Sequence, residues 1–206
     1  MGWPAGGRFS TSPPPEELRI TFELANTIGR ERPAAADLLA RLGTAQAWLD
    51  DLVADWCLVH SSSDPSVRLG VGDLERLIAL RERVRAVLAG RIGGSDVSGD
   101  SHHPSADITG GAVITVRPFG VDVAAAGGGV GWVEASIAIE MLMATCRDQL
   151  RRLKVCQHPE CGVAFFDRSR NNSGVWHNTR RCGNPANVRA YRQRQRDRDA
   201  ERPRAQ

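Results

Sequence analysis

Four residues near the carboxyl end have the types and the spacing to hold a metal ion. Cys156, Cys161, His177 and Cys182 form the pattern C-x4-C-x15-H-x4-C. Zinc takes thiolate and imidazole ligands in a tetrahedron, and two short pairs separated by a loop deliver four of them to one point. Because protein side chains fill all four positions, the site reads as structural rather than catalytic, with one zinc per chain. Pro159 and Gly162 stand in and after the first pair, where a tight knuckle needs them. His158 competes with His177 as the nitrogen ligand. It lies inside the first turn beside Pro159, where its side chain is expected to point outward, so His177, which keeps the x4 spacing, is preferred. The alternative, unrelated buried thiols, does not account for two matched pairs. Cys57 and Cys146 fall on apolar helix faces and read as core thiols.

The chemistry that follows the last ligand is cationic. Asn184 suits an N-cap and Pro185 the first helical position, opening a helix with Ala186, Ala190 and Tyr191 for packing. Arg189, Arg192 and Arg196 share one face of it, and Arg194 and Arg198 lie on another. Arg180 and Arg181 precede Cys182, and Arg168 and Arg170 lie on the polar turn between the ligand pairs. Guanidinium groups on a helix fixed by a metal knuckle could meet phosphates or guanine edges in a major groove. A solvated tail helix is the plainer alternative.

The rest of the chain must position these groups. Of 206 residues, 151–206 hold 14 of the 27 basic and 5 of the 24 acidic side chains, a net of +9 on a body of −6. This split points the basic end at an anionic partner, with double-stranded DNA the first candidate. No stretch approaches 18 apolar residues, so no membrane partner is expected. Residues 1–15 contain Gly2, Gly6, Gly7 and three consecutive prolines, have no apolar h-region, and read as a flexible tail; a cytoplasmic, reducing setting follows, in which the cysteines are thiols or ligands. Residues 16–153 read as a helical regulatory, sensor or dimerisation domain, 154–200 as the zinc finger and 201–206 as a tail. Helices are expected over 18–28, 34–59, 73–90 and 132–153, the last ending in a basic turn at Arg147, Arg151, Arg152 and Lys154. Residues 112–117 and 119–126 read as a hairpin, and 127–131 as a glycine-rich connector. Between the ligand pairs, 163–166 is expected to be a strand with 175–176 returning against it. The fold class is therefore mainly α with a small β-hairpin, plus a small C-terminal zinc finger of knuckle, short hairpin and basic helix. Asn26 and Thr27 could line a pocket or terminate a helix, the second being the commoner use.

The segments CQHPEC, FFDRSRN, WHNTRRCGN and NVRAYRQRQR, across residues 156–194, resemble the CGNR zinc finger, and FELANT at 22–27 resembles the start of the domain that precedes it, described as a Putative stress-induced transcription regulator. The resemblance assigns zinc to Cys156, Cys161, His177 and Cys182. It implies a DNA-binding transcriptional regulator that is not an enzyme, with a small-molecule effector or a homodimer as further partners. His177 stands where the family usually has cysteine. Pro185 stands where the signature has arginine, so Arg180, Arg181 or Arg189 would have to compensate for any contact that arginine makes. An RNA-binding or protein-interaction module is the alternative. A metal-dependent nuclease, suggested by His177 beside Asn178, lacks an open coordination position and a second metal-binding group.

Overall fold

The computed structural model describes residues 4–28, 35–60, 65–90 and 107–201. Among them lie helices α1 (Arg19–Ala25), α2 (Leu42–His60), α3 (Asp73–Gly90), α4 (Val130–Cys146) and α5 (Asn184–Glu201). Strands β1 (Ala112–Arg117) and β2 (Gly120–Ala125) form one antiparallel ribbon, and β3 (Leu153–Val155) and β4 (Ala164–Phe166) form another. The mainly α fold with small hairpins and a C-terminal metal-ligand cluster is the architecture expected. No helix among the described residues is long and apolar enough to cross a membrane.

Helix α1 is the hub. Its seven residues are all buried, although a helix this short is marginal in water. Both of its ends are capped by distant side chains. The Glu140 carboxylate on α4 accepts from the Ile20 and Thr21 backbone N–H groups, each at 2.8 Å, and from Thr21 Oγ1 at 2.6 Å. Burial pushes the Glu140 carboxyl up to about 7, against these donors and the Arg19 charge. At the other end Arg85 donates to the Ala25 carbonyl, and Arg8 donates to the carbonyls of Asn26 and Thr27. An acid at the N-terminus and cations at the C-terminus complement the helix dipole.

This hub explains the polar letters of FELANT. Glu23 accepts from the Ala5 and Gly6 backbone, Asn26 bonds the Ala164 backbone on β4, and Thr27 receives Arg81 from α3. Each buried polar side chain ties α1 to a different segment. Asn26 therefore both follows the helix and joins it to the finger.

Residues 4–15 correct the flexible-tail reading. Ala5 is buried, Gly6–Arg8 forms a helical turn held by Glu23, and Phe9 packs in the cluster that contains the three ligand cysteines. The sequence could not show this, because the holding carboxylate lies about one element away in the chain.

The end of α4 is a second correction. The helix stops at Cys146, Asp148 takes a positive φ of 56°, and after a short turn the chain becomes β3. Lys154 therefore lies on a strand, not on a basic helix end. Cys146 is exposed rather than a core thiol, while Cys57 is half-buried against the core. Helix α2 begins at Leu42, eight residues later than expected, whereas α3 matches its expected bounds.

Candidate metal centre

Strands β3 and β4 set the site. The partner of β4 is β3, not residues 175–176, which contribute only the Val175 carbonyl to the Gln157 N–H. The ribbon alternates between two cores. Leu153, Val155, Ala164 and Phe166 join the main apolar core, and Val163 and Phe165 face the cluster of Cys156, Cys161 and Cys182. Within that ribbon Lys154 donates to Asp167 at 2.7 Å and to the carbonyls of Asn172 and Gly174. Burial pushes the Asp167 carboxyl up, but Lys154, Ser169 and the Gly174 N–H outweigh it and hold it at about 2. This pair fixes the loop between the two ligand pairs.

Cys156 follows β3, and its N–H donates to Val163. The chain then turns through the Cys161 N–H to His158 carbonyl bond, and the Val163 N–H points at Cys161 Sγ. Gly162 has φ +67°, and a Cβ there would lie 2.7 Å from the Arg85 guanidinium. Glycine takes this φ without strain and leaves Arg85 its place.

The second pair is set by a cap absent from the sequence reading. Asn178 Oδ1 accepts from the Arg180 and Arg181 N–H groups and opens the wide turn Thr179–Gly183, whose Cys182 N–H returns to the Asn178 carbonyl. The signal was available in the sequence: an asparagine preceding a turn is a common N-cap. Asn178 thus has a backbone role in place of the one that suggested a nuclease. At Gly183 a Cβ would meet the Trp176 ring at 2.9 Å, so the indole packs on bare backbone there.

These turns bring Cys156, Cys161, His177 and Cys182 together, with all four ligand atoms within 4.8 Å of one another. His177 Nδ1 lies 3.3 Å from Cys161 Sγ and 3.5 Å from Cys182 Sγ. Tetrahedral zinc with its usual bond lengths sets a nitrogen–sulfur edge of about 3.5 Å, so the donor set fits this ion. The Cys156 thiol is pulled down to about 4, first by the Cys161 thiol and then by His177, while Cys161 is pushed up. A divalent cation is the species that lets all three sulfurs be thiolates at once. Bound zinc would act structurally, closing the knuckle. His158 stays outside the cluster. It is buried rather than outward-pointing, with Nδ1 accepting from the Glu160 N–H at 3.3 Å.

Helix α5 leaves the wide turn directly after Cys182 and Gly183. Arg168, Arg170, Arg180, Arg181, Arg189, Arg192, Arg194 and Arg196 are all exposed. Arg168 is tethered, donating to the Pro13 carbonyl and lying over the Phe166 ring. Ala190 and Tyr191 are exposed and do not pack. Arg181, Pro185 and Arg189 line one niche of about 290 Å³ beside Cys161 and Cys182.

The model of the CGNR zinc finger family matches residues 152–195, and that of the family described as Putative stress-induced transcription regulator matches residues 18–145. Neither description is that of an enzyme family. No curated protein matches the chain.

Proposed function

We propose that this chain, which belongs to the family described as Putative stress-induced transcription regulator and ends in a CGNR zinc finger, is a DNA-binding regulator. In this reading residues 16–153 form the regulatory part, and the finger presents α5 to duplex DNA without catalysing a reaction. One observation carries it: a helix with Arg189, Arg192 and Arg196 along one exposed face starts one residue after a buried zinc ligand and its glycine, so the metal fixes where the cations point. Arg180 and Arg181 extend the cationic surface onto the preceding turn. The niche shared by Arg181, Pro185 and Arg189 supports compensation for the signature arginine, because two guanidinium groups flank the position that proline occupies. Guanidinium is suited to bidentate phosphate and guanine contacts.

Fluorescence anisotropy of labelled duplex DNA, titrated with the zinc-loaded chain over a range of salt, tests this. Affinity should fall steeply with salt, and Arg189→Ala with Arg192→Ala should lower the log–log slope by about 2, since each phosphate contact adds about 0.9. Binding indifferent to salt and to both substitutions overturns the reading. Preference for single-stranded RNA over the duplex would replace it with the RNA-binding alternative.

A further inference from the structure

A cavity of about 500 Å³ lies between the β1–β2 ribbon and α4, lined by none of the metal-ligand residues and within the size range of small-molecule sites. Its walls are chiefly apolar, with Ile20 of α1, Trp56 of α2, Val123 of β2, and Ile139 and Met143 of α4. The Trp56 indole is itself braced edge-on by Trp132, with ring centroids 5.3 Å apart at 85°.

One buried hydroxyl in this wall is left unpaired. Ser136 lines the cavity, is 6% exposed, and its Oγ has no hydrogen-bond partner among the described residues. Helical serine and threonine usually turn back onto the carbonyl four residues earlier, as Thr145 does onto Met141 at 2.7 Å in the same helix. Ser136 does not. A buried hydroxyl left unpaired is costly and calls for a partner, which a polar group of a ligand in the cavity would supply.

The charges around the cavity define what fits. Glu16, Glu17, Asp122 and Glu140 line it against a single cation, Arg147, which Glu17 already engages at 2.8 Å. Glu16 pairs with Arg19 and Asp122 with Arg117 in the same way, so the one cation of the lining is already taken and an anion would find no counter-charge there. We propose that this cavity binds a small, predominantly apolar aromatic molecule, neutral or cationic, with one polar group that hydrogen-bonds Ser136 Oγ. The site does not depend on what α5 binds.

The test is a titration of the full zinc-loaded chain, without DNA, using the neutral probe N-phenylnaphthylamine and its sulfonated analogue anilinonaphthalene sulfonate. The expected result is saturable binding of one neutral probe per chain, at least tenfold tighter than the sulfonate. Ile139→Trp, which fills the cavity, should abolish it. Met143→Trp at the half-exposed rim does the same work should the Ile139 variant fail to fold. Ser136→Ala should weaken binding several-fold with the circular dichroism spectrum unchanged. Val116→Lys, 77% exposed near the turn of the ribbon and not among the residues that line the cavity, should leave binding intact. No saturable binding, equal affinity for the sulfonate, or loss with Val116→Lys but not with the tryptophan variants overturns the proposal.

Discussion

The two ribbons among the described residues, with strands of six and of three residues, have opposite fates. In β1–β2 every residue but the last is exposed, and Ile114, Val116, Val121 and Val123 form cross-strand neighbours on one apolar face whose Val123 end borders the cavity beside α4. In β3–β4 all six residues are buried or half-buried on one face or the other, Lys154 with a buried ion pair. The shorter ribbon is the better embedded because it separates two cores, the aliphatic one beneath α1 and the metal-bound one beneath Cys156, Cys161 and Cys182. A strand pair gains its order from what covers its faces and not from its own length. The finger is therefore not a bead tied to a helical domain: one side of its central ribbon is part of that domain's interior.

Breaking the metal side should have the largest effect. Removal of zinc by chelation, or Cys182→Ser, forfeits a contribution of about 10–16 kcal/mol for structural zinc. Hydrogen exchange should show protection lost across residues 156–183 while α3 and α4 keep theirs, and elemental analysis should show one zinc per wild-type chain and none in the variant. Equal loss of protection in α3 and α4 would mean that the two cores cannot be separated at all.

The aliphatic side carries a pH signature. Glu140 holds its proton up to about 7 in the folded chain against an ordinary value of 4.5. The folded state therefore binds that proton more tightly than the unfolded one. The contribution of this group to stability is greatest below pH 4.5, declines as pH rises from 4.5 to 7, and levels off above, by about 3 kcal/mol in all. Urea midpoints measured across this window should fall for the wild type, and Glu140→Gln should flatten the decline. A flat wild-type profile would show that the donors from Ile20 and Thr21 outweigh burial.

The joint between the cores is next. Asn26→Ala removes two hydrogen bonds and leaves the Ala164 N–H and carbonyl buried without them, which should cost about 2–3 kcal/mol by equilibrium unfolding. Asn26→Asp keeps an acceptor for the N–H and should recover part of that if the polar tie, and not side-chain volume, is what matters. Least affected should be the exposed ribbon, where Val116→Lys changes stability by less than about 0.5 kcal/mol, since Val116 is 77% exposed.

Local rules made the parts with local causes legible. The ligand pattern, α3 with its Asp73 start, and the β1–β2 ribbon follow from spacing, caps and β-branched residues within a few positions of one another. The misread parts have distant causes. Arg147 to Lys154 looks like a basic helix end until Asp167, 13 residues on, takes Lys154 into a strand. The first fifteen residues look loose until Glu23 takes hold of Ala5 and Gly6. In the finger the donor set was readable, but His158 was expected outward and is buried, because the turn folds its ring back onto the Glu160 N–H.

Cys156 donates to Val163, and Asp167 to Arg152, so the Ala164 peptide groups between them turn away from β3. Asn26 meets both of them, at 2.9 and 3.1 Å, as the amide of a neighbouring strand would. A single side chain thus finishes the sheet on that edge. The Ala164 position of a three-residue strand that would otherwise invite edge-to-edge association is paired from inside its own chain.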